Sequence, residues 1–434
     1  MKKTVTYIIC ALMFALCLTG MIEKAKAASV LEKLSSADRN EIKNRIELLL
    51  NASTKRETRT TLQEVSVDVA SDCERKRSAF LSFELGLGVS FDEVFHNTEI
   101  YELSISEEKV SLLVDDTTVV WYSYPNISVS TDYFAYKTPH EMVLEKRNGY
   151  WFIVRDSFDE RSVTGVASHD IADETTDNES EVIGQGENKQ QPTRTLTFSY
   201  SPSTLISALQ YANQYCGLSS LQRLGIGYTE WRGETSNGTN NNSSNYNPNY
   251  ADYYSSGGDC ANFVSQILYE AGVRDIDGTW GYNHTTNTGT NAWISVTDFE
   301  TFFGNSYSVQ TISSGVYSNV FPGNPIFWTS SSGNHLMFCM GYNSAGVPVI
   351  NCHTNDAFRV PITNPNYSGK TLKTILIATS NLHSHNSQQW FYNDSWHMRI
   401  CTYCEYVHYR AAHTANLAGY CTVCGAQGPF VVPY

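Results

Sequence analysis

The chain between residues 257 and 269 reads Gly257-Gly258-Asp259-Cys260-Ala261-Asn262-Phe263-Val264-Ser265-Gln266-Ile267-Leu268-Tyr269. Two glycines allow a turn, and Asp259 is a residue type that caps helices. The apolar residues after Cys260 recur at helical spacing. We therefore predict a loop that brings Cys260 to the first turn of a buried helix.

A cysteine at the start of a helix is a candidate nucleophile. Unpaired backbone N–H groups and the positive end of the helix dipole favour the thiolate, so we expect a lowered pKa for Cys260. The same N–H groups could stabilise an oxyanion. The alternative is an inert cysteine in a core helix, since free cysteine is among the most buried residue types.

Length and composition restrict the class of protein. A chain of 434 residues with 41% hydrophobic residues is typical of a globular protein of two to four domains. Its net charge of −14 and pI near 5.2 offer no electrostatic basis for binding nucleic acid.

The first residues have the pattern of an export signal. Met1-Lys2-Lys3 precede an apolar run from Tyr7 to Leu18, and Ala25-Lys26-Ala27 supply the small residues of a cleavage site. We expect a signal peptide over residues 1–27. The apolar run is shorter than the ~20 residues of a membrane-spanning helix, so we expect a secreted protein with no membrane partner after cleavage, either released or associated with the cell wall.

Residues 28–165 are predicted to form an N-terminal α+β module. A helical pattern runs to about residue 51, residues 60–160 are strand-like, and Arg147-Asn148-Gly149 is a typical hairpin turn. The segment from His140 to Asp156 resembles the closing hairpin of cone-shaped folds of the nuclear transport factor and ketosteroid isomerase type. No convergent set of ionisable residues is evident, so we expect a binding or spacer role. Residues 166–196 have the composition of an acidic, flexible linker.

Residues 197–380 are predicted to form a second α+β domain, with helices first and an antiparallel sheet after them. The helical pattern returns here, with Ser203 as the predicted cap of a helix. Strands are expected near residues 324–328, 335–342, 347–353 and 371–379.

His335 is the candidate base for Cys260, because a cysteine nucleophile needs an imidazole within hydrogen-bond reach. A tight hairpin that pairs Tyr342 with Val347 would place Thr354 opposite His335, and a shift of one residue would place His353 or Asn355 there. One of these polar groups would then stand beside His335. The alternative is that His335 ends a strand in solvent and that His353 is a satisfied core residue.

Residues 200–379 resemble the putative amidase domain family of secreted Gram-positive proteins, a papain-like class that includes the NlpC-type and CHAP cell-wall hydrolases. The resemblance rests on Ala208-Leu209-Gln210-Tyr211-Ala212, Tyr246-Asn247-Pro248-Asn249, the block from Gly258 to Gln266, Trp293, Asn334-His335 and Cys352-His353-Thr354-Asn355-Asp356. It implies a papain-like cysteine hydrolase fold. Cys260 would be the nucleophile, His335 the base and His353 the orienting residue, with Asn351 and Asn355 as alternatives to His353. One departure is Tyr200-Ser201-Pro202-Ser203, where the family tends to have Tyr-Asn-Arg.

The implied reaction is acyl transfer without a catalytic cofactor. Cys260 attacks an amide carbonyl, His335 protonates the leaving amine, and water hydrolyses the thioester. The resemblance implies a peptide or peptidoglycan substrate, and Asp259, Gln266 and Trp328 are candidate substrate-binding residues. A surface-binding or adhesion protein with an inactive papain-like domain is the alternative function.

Residues 381–434 form a segment rich in cysteine and histidine. It contains two Cys-x-x-Cys pairs, Cys401 with Cys404 and Cys421 with Cys424, separated by sixteen residues. This spacing is typical of a structural zinc site in which the four cysteines bind one ion. His397 and His413 could replace a sulfur or serve a second site, and disulfides are the alternative in an exported protein.

Overall fold

The computed structural model describes residues 34–54, 65–127, 131–158, 196–225, 229–232, 245–253, 259–274, 278–330, 333–354, 356–367, 369–392, 395–414, 416, 418 and 420–427. The predicted signal peptide and all but the last residue of the predicted acidic linker lie outside these ranges. The protein is a mixed α and β protein with mainly antiparallel sheets. No helix in the described ranges is both long enough and apolar enough to span a bilayer.

In the N-terminal part, the described residues form two helices and four antiparallel strands. They are α1 (Ser36–Thr54), α2 (Val67–Leu87), β1 (Ser90–Ile105), β2 (Lys109–Ser123), β3 (Asp132–Arg147) and β4 (Tyr150–Phe158). Both helices pack on β4 and β1. The β3–β4 hairpin pairs Arg147 with Tyr150. The turn residues Asn148 and Gly149 both have positive φ, as a two-residue hairpin turn requires, so the predicted turn is confirmed.

Helix α2 corrects the strand-like interpretation of residues 60–160. The Ser66 hydroxyl accepts a hydrogen bond from the backbone N–H of Val69 and caps the helix, and Gly88 ends it with φ 66°. Its buried face contains Val69, Cys73, Phe80 and Leu87 at helical spacing. The β-branched residues that follow α2 made the whole of residues 60–160 look strand-like, so the helical periodicity was not recognised.

Within the described ranges, the second part has five α-helices, a 3-10 helix (Pro365–Tyr367) and nine strands, of which β6 and β7 form a separate small hairpin. The helices are α3 (Pro202–Gln214), α4 (Ser220–Arg223), α5 (Cys260–Glu270), α6 (Asn291–Ile294) and α7 (Val296–Gly304). The strands are β5 (Thr229–Arg232), β6 (Tyr282–Asn283), β7 (Thr288–Gly289), β8 (Val309–Thr311), β9 (Pro325–Ser330), β10 (Gly333–Tyr342), β11 (Pro348–Cys352), β12 (Ala357–Pro361) and β13 (Lys373–Ile375). Helix α3 is capped by Ser201 rather than by Ser203, because Pro202 takes the first helical position.

One sheet of eleven strands runs through both parts of the chain. Its order is β5-β1-β2-β3-β12-β11-β10-β9-β13-β8, with β4 also paired to β3. Strand β12 pairs with β3 through Ala357 opposite Tyr136 and Phe358 opposite Ala135. Strand β5 adds in parallel to β1. The N-terminal module and the second domain are therefore joined by backbone hydrogen bonds as well as by the linker.

The two faces of this sheet bury different cores. Helices α3, α5 and α7 cover one face, where their apolar residues meet Phe327, Leu336 and Phe338. Helix α2 covers the other face, where Phe80 and Phe83 meet Trp328 and Met337. Cys260 belongs to the first of these cores.

The tail forms a three-stranded antiparallel sheet of β14 (Gln388–Tyr392), β15 (Trp396–Cys401) and β16 (Val407–Ala412). Trp396 contacts Trp121 of β2 with ring centroids 5.8 Å apart. Tyr133 of β3 donates a hydrogen bond of 2.7 Å to Glu405. The tail therefore packs on the N-terminal part as well as on the second domain.

Candidate functional site

Cys260 is the first residue of helix α5, and its side chain is only 5% exposed. This confirms the predicted position at a helix N-terminus. Three backbone N–H groups surround the sulfur, those of Leu336, Ala261 and Cys260 itself, and each favours the thiolate. The Leu336 group belongs to β10, so the sulfur lies against this strand beside His335.

The predicted low pKa of Cys260 is wrong for this arrangement. Burial raises the pKa of the Cys260 thiol to about 11, and the three N–H groups only partly oppose this effect. Removal from water destabilises the thiolate by more than the N–H groups at the start of the helix stabilise it. Cys260 is therefore a neutral thiol at neutral pH in this conformation.

Asp259 occupies the capping position of α5, but its carboxylate does not cap the helix as predicted. One carboxylate oxygen accepts hydrogen bonds from the Tyr253 backbone N–H at 3.0 Å and from the Asn262 amide at 2.7 Å. The other oxygen lies 2.6 Å from Nδ1 of His353. The backbone N–H of Asp259 donates to the hydroxyl of Thr354 at 2.7 Å. Asp259 thus fixes the start of α5 to the segment after β11.

His335 lies in β10 directly opposite Trp328 of β9, and the centroids of the two rings are 5.1 Å apart. Opposed residues share a face of the sheet, whereas neighbours along a strand point to opposite faces. The His335 ring therefore lies on the Trp328 face, and the Leu336 side chain points to the face that holds Cys260.

The predicted register of the β10–β11 hairpin is wrong at the turn. Tyr342 pairs with Pro348 rather than with Val347, but a bulge between Cys339 and Gly341 shifts the ladder by one residue and returns it to the predicted register. The ladder ends where Phe338 opposes Asn351. Asn351 is buried and donates to the carbonyl of Ala212 at 3.2 Å. Asn355 lies outside the described residues.

His353 is buried between two aromatic rings, Tyr246 and Phe263, each with its centroid 3.8 Å from that of the imidazole. Its Nδ1 meets Asp259, and its Nε2 lies 2.5 Å from the carbonyl oxygen of Tyr215. Burial favours the neutral ring, but the hydrogen bond to Asp259 and the charges of Asp259 and Asp356 outweigh it, so the pKa of His353 is raised. Any orienting effect of His353 on His335 is therefore indirect.

Asp356 extends this network to the N-terminal part. The Tyr246 hydroxyl donates to its carboxyl group at 2.6 Å, and its backbone oxygen accepts from Lys137 of β3 at 3.0 Å. Burial raises the pKa of Asp356 to about 6. Tyr246 and Asp356 belong to the motifs that carry the family resemblance, but no role in the site was predicted for them. Their occurrence in these motifs together with His353 was the only sequence signal for this network.

The three predicted substrate-binding residues are all buried. Asp259 contacts His353, and Gln266 accepts a hydrogen bond from the Tyr211 hydroxyl at 2.8 Å. Trp328 packs between His335 and Tyr367. Their described partners are protein groups, and their contact with substrate stays a prediction.

The four cysteines of the tail do not converge on one site, which corrects the predicted four-cysteine arrangement. Two separate groups of possible metal ligands form instead. The inner group is His383, His385, Cys401 and Cys404; the outer group is His397, His413, Cys421 and Cys424. All nine cysteines within the described ranges are free thiols. Both groups could hold a metal ion.

The N-terminal part contains a convergent ionisable set that sequence analysis did not recognise. His96 pairs with Asp116 at 2.9 Å, and His140 pairs with Asp156 at 2.8 Å. Lys76 of α2 lies 3.5 Å from Asp156. Lys76, His96, Asp116 and His140 border a cavity of about 20 Å³, which is room for roughly one water molecule. His96, Asp116, His140 and Asp156 come from strands β1, β2, β3 and β4, respectively, and Lys76 comes from helix α2. Their convergence depends on strand pairing and helix packing, which the sequence pattern did not show.

Residues 204–377 match the family model described as Putative amidase domain. The matched part contains Cys260, His335 and His353 but neither the N-terminal part nor the tail. The match suggests hydrolysis of amide bonds in a peptide-like substrate. No curated protein and no solved structure is significantly similar to the chain.

Proposed function

We propose that residues 197–380 form a papain-like cysteine hydrolase domain that cleaves amide bonds, with Cys260 as nucleophile and His335 as base. The observation that carries this proposal is the convergence of three backbone N–H groups on the sulfur of Cys260. Such donors stabilise negative charge on the sulfur or on an attached oxyanion. An inert core cysteine has no need of them.

The raised pKa of Cys260 determines how the nucleophile is activated. Because the resting sulfur is protonated, His335 has to remove its proton as the sulfur attacks, rather than hold a preformed ion pair. Catalytic hydrogen bonds are often long or poorly aligned in enzymes without substrate. Proton transfer in this proposal requires the His335 ring, which lies on the Trp328 face, to move toward the Cys260 sulfur when the substrate binds.

The later steps follow from this first proton transfer. The S–C bond forms, the carbonyl oxygen becomes an oxyanion, and the protonated His335 gives its proton to the leaving amine as the C–N bond breaks. Water then hydrolyses the thioester with His335 again as base. Backbone N–H groups of α5 and β10 would donate to the oxyanion in both steps.

His353 positions the nucleophile in this proposal. It holds Asp259, and Asp259 holds the start of α5 through Asn262 and Thr354. His353 therefore acts on Cys260 rather than on His335, and Asn351 and Asn355 stay alternatives for the group that orients His335.

We further propose that the substrate is a peptide amide of cell-wall peptidoglycan and that the protein is secreted, at the wall of a Gram-positive organism. The signal-like residues 1–27 and the likeness to wall hydrolases support this location. A surface-binding protein with an inactive domain is the alternative, and the burial of Cys260 and His335 is the observation that favours it.

Metal in the tail has a structural role in this proposal. Each group offers four protein ligands, which fill a tetrahedral shell and leave no position for a reactive water molecule. Hydrolysis should therefore depend on Cys260 and not on a tail metal.

The test uses purified wall fragments and reads products by mass. The Cys260→Ala variant should lose at least ~1000-fold in rate, since removal of a nucleophile removes covalent catalysis. Cys339→Ala is the control, because Cys339 is also a buried cysteine but lies in β10, outside the proposed site. Full activity in Cys260→Ala would refute the proposal. Binding to wall without products from either chain would support the surface-binding alternative.

A further inference from the structure

The inner and outer groups each place two histidines and two cysteines around a common point. Within each group, all four candidate donor atoms lie within 4.8 Å of one another. Cys401 and Cys404 are fully buried, and so is His397 of the outer group. Without a metal, the buried thiols and imidazoles of each group would face one another, so that polar donors would be placed against other donors.

The distances match the edges of a zinc tetrahedron. With Zn–S near 2.3 Å and Zn–N near 2.0–2.1 Å, tetrahedral geometry gives S–N edges of about 3.6 Å and N–N edges of about 3.4 Å. In the inner group, Cys401 lies 3.4 Å from His383 and Cys404 lies 3.3 Å from His385.

The outer group has the same dimensions. Cys421 lies 3.5 Å from Nδ1 of His397, and Cys424 lies 3.7 Å from Nδ1 of His413. The two histidine nitrogens are 3.4 Å apart. Two thiolates neutralise one Zn²⁺, so a loaded group is uncharged and suits burial.

The two groups are interleaved along the chain. Strand β15 begins next to His397, a ligand of the outer group, and ends at Cys401, a ligand of the inner group. Neither group can therefore assemble from a continuous segment that excludes the other.

The inner group also shapes a loop that reaches the catalytic domain. In residues 401–405, the Tyr403 carbonyl accepts from Asn213 and the Cys404 carbonyl accepts from Arg359, each at 2.5 Å. Glu405 pairs with the buried Arg223 at 2.6 Å. Asn213, Arg223 and Arg359 belong to α3, α4 and β12, respectively. Tyr215 follows the end of α3, and its carbonyl oxygen contacts His353.

The knuckle of the outer group makes a different set of contacts. Its described backbone bonds stay in the tail: Cys421 donates to Ala426, and Thr422 donates to Thr414. A metal there orders the end of the chain but not the catalytic domain.

We propose that the tail binds two zinc ions in two Cys₂His₂ sites, and that the inner ion holds the loop 401–405 against α3, α4 and β12 of the catalytic domain. The inner zinc is then a structural staple between the tail and the hydrolase, and the outer zinc stabilises the tail alone.

The first experiment counts metal in the full chain, purified without chelator, by elemental analysis and by zinc release to a chromogenic chelator after thiol modification. We expect two zinc ions per chain. The variants Cys401→Ser/Cys404→Ser and Cys421→Ser/Cys424→Ser should each retain one, and the control Cys73→Ser should retain two. A single four-cysteine site would give one ion in the native chain and none in either double variant, which would overturn the proposal. Disulfides in the native tail, seen as a mass lower by about 4 Da without metal, would also overturn it.

Release from the native chain gives the metal count even where a double variant fails to fold. Cobalt substitution of the native chain adds the ligand set, since thiolate-to-cobalt absorption should correspond to two thiolates per ion. Intensity corresponding to four thiolates on one ion would contradict the proposal.

The second experiment tests the staple. Urea unfolding of the catalytic domain, followed by tryptophan fluorescence, should shift to lower urea in the inner double variant and much less in the outer one. Glu405→Gln is the matched control: it should keep two zinc ions but weaken the loop contact, and so shift unfolding in the same direction as the inner variant. Equal shifts in the inner and outer variants, or no shift in Glu405→Gln, would contradict the staple.

Discussion

At the scale of single residues, the pair of His353 and Asp259 fixes the position of Cys260 at the start of α5. Both side chains are almost fully buried and lie 2.6 Å apart. A buried pair contributes little by itself, because desolvation offsets its attraction, but removal of one partner leaves the other uncompensated. The pair therefore specifies a position for α5 more than it adds stability.

This pair should give the protein a defined pH dependence. The folded pKa of His353 lies above its ordinary value of 6.5, so its stabilising contribution is complete below about pH 6 and is lost as the pH rises through the raised pKa. The variant His353→Gln should lose about 3–5 kcal/mol of unfolding free energy at pH 6 and clearly less at pH 9. Urea unfolding at both pH values measures this difference.

The control for this prediction is His284→Gln, because His284 is exposed. It should follow the native pH dependence within error. An equal loss for His353→Gln at pH 6 and pH 9 would show that the ring is not charged in the folded protein.

At the scale of elements, the end of α3 is held close to the segment after β11. Gly217 follows α3 with φ 87°, and a Cβ there would overlap the carboxyl group of Asp356. Only glycine permits both this backbone conformation and this approach. The close approach brings the carbonyl of Tyr215 to His353.

We predict that Gly217→Ala costs about 2–4 kcal/mol of unfolding free energy, from backbone strain and from displacement of Asp356. Gly346→Ala is the matched control, since Gly346 has φ 75° but open space around its Cβ position, and it should cost only about 1 kcal/mol. Chemical denaturation of both variants provides the comparison. Similar costs at the two positions would mean that the contact with Asp356 is not tight.

At the scale of the whole molecule, the shared sheet makes the N-terminal part a structural component of the second domain. Strand β12 hydrogen-bonds to β3, and Trp121 and Tyr133 of the N-terminal part lie in the same core as Cys260. Without that part, β12 would be an exposed edge beside an uncovered apolar surface, which favours aggregation.

A chain of residues 196–434 should therefore be aggregated or unfolded at lower urea than the full protein. A chain of residues 34–434 is the control, because it retains every described element, and it should remain monomeric and stable. Size-exclusion chromatography and urea unfolding distinguish the two. A monomeric 196–434 chain with unchanged unfolding would show that the shared sheet adds nothing to stability.

Much of the site could be predicted because its features are local. The helix that begins at Cys260, the turn at Asn148 and Gly149, and the two Cys-x-x-Cys knuckles each depend on a few adjacent residues. Backbone propensity and side-chain spacing act over the same short range. The turn of the β10–β11 hairpin is one residue longer than predicted, and the bulge between Cys339 and Gly341 compensates for it, so the ladder beyond the bulge has the predicted register.

Local sequence was enough to identify the reactive residues and the short elements that carry them: a cysteine at a helix start, a histidine on a strand, and four cysteines in two knuckles. The partners of these groups were visible only after folding. Folding pairs His353 with Asp259, divides the four cysteines between two groups, joins β12 to β3 and raises the pKa of Cys260. Desolvation and partnership depend on atoms from distant parts of the chain, and such packing leaves no pattern within a short stretch of sequence.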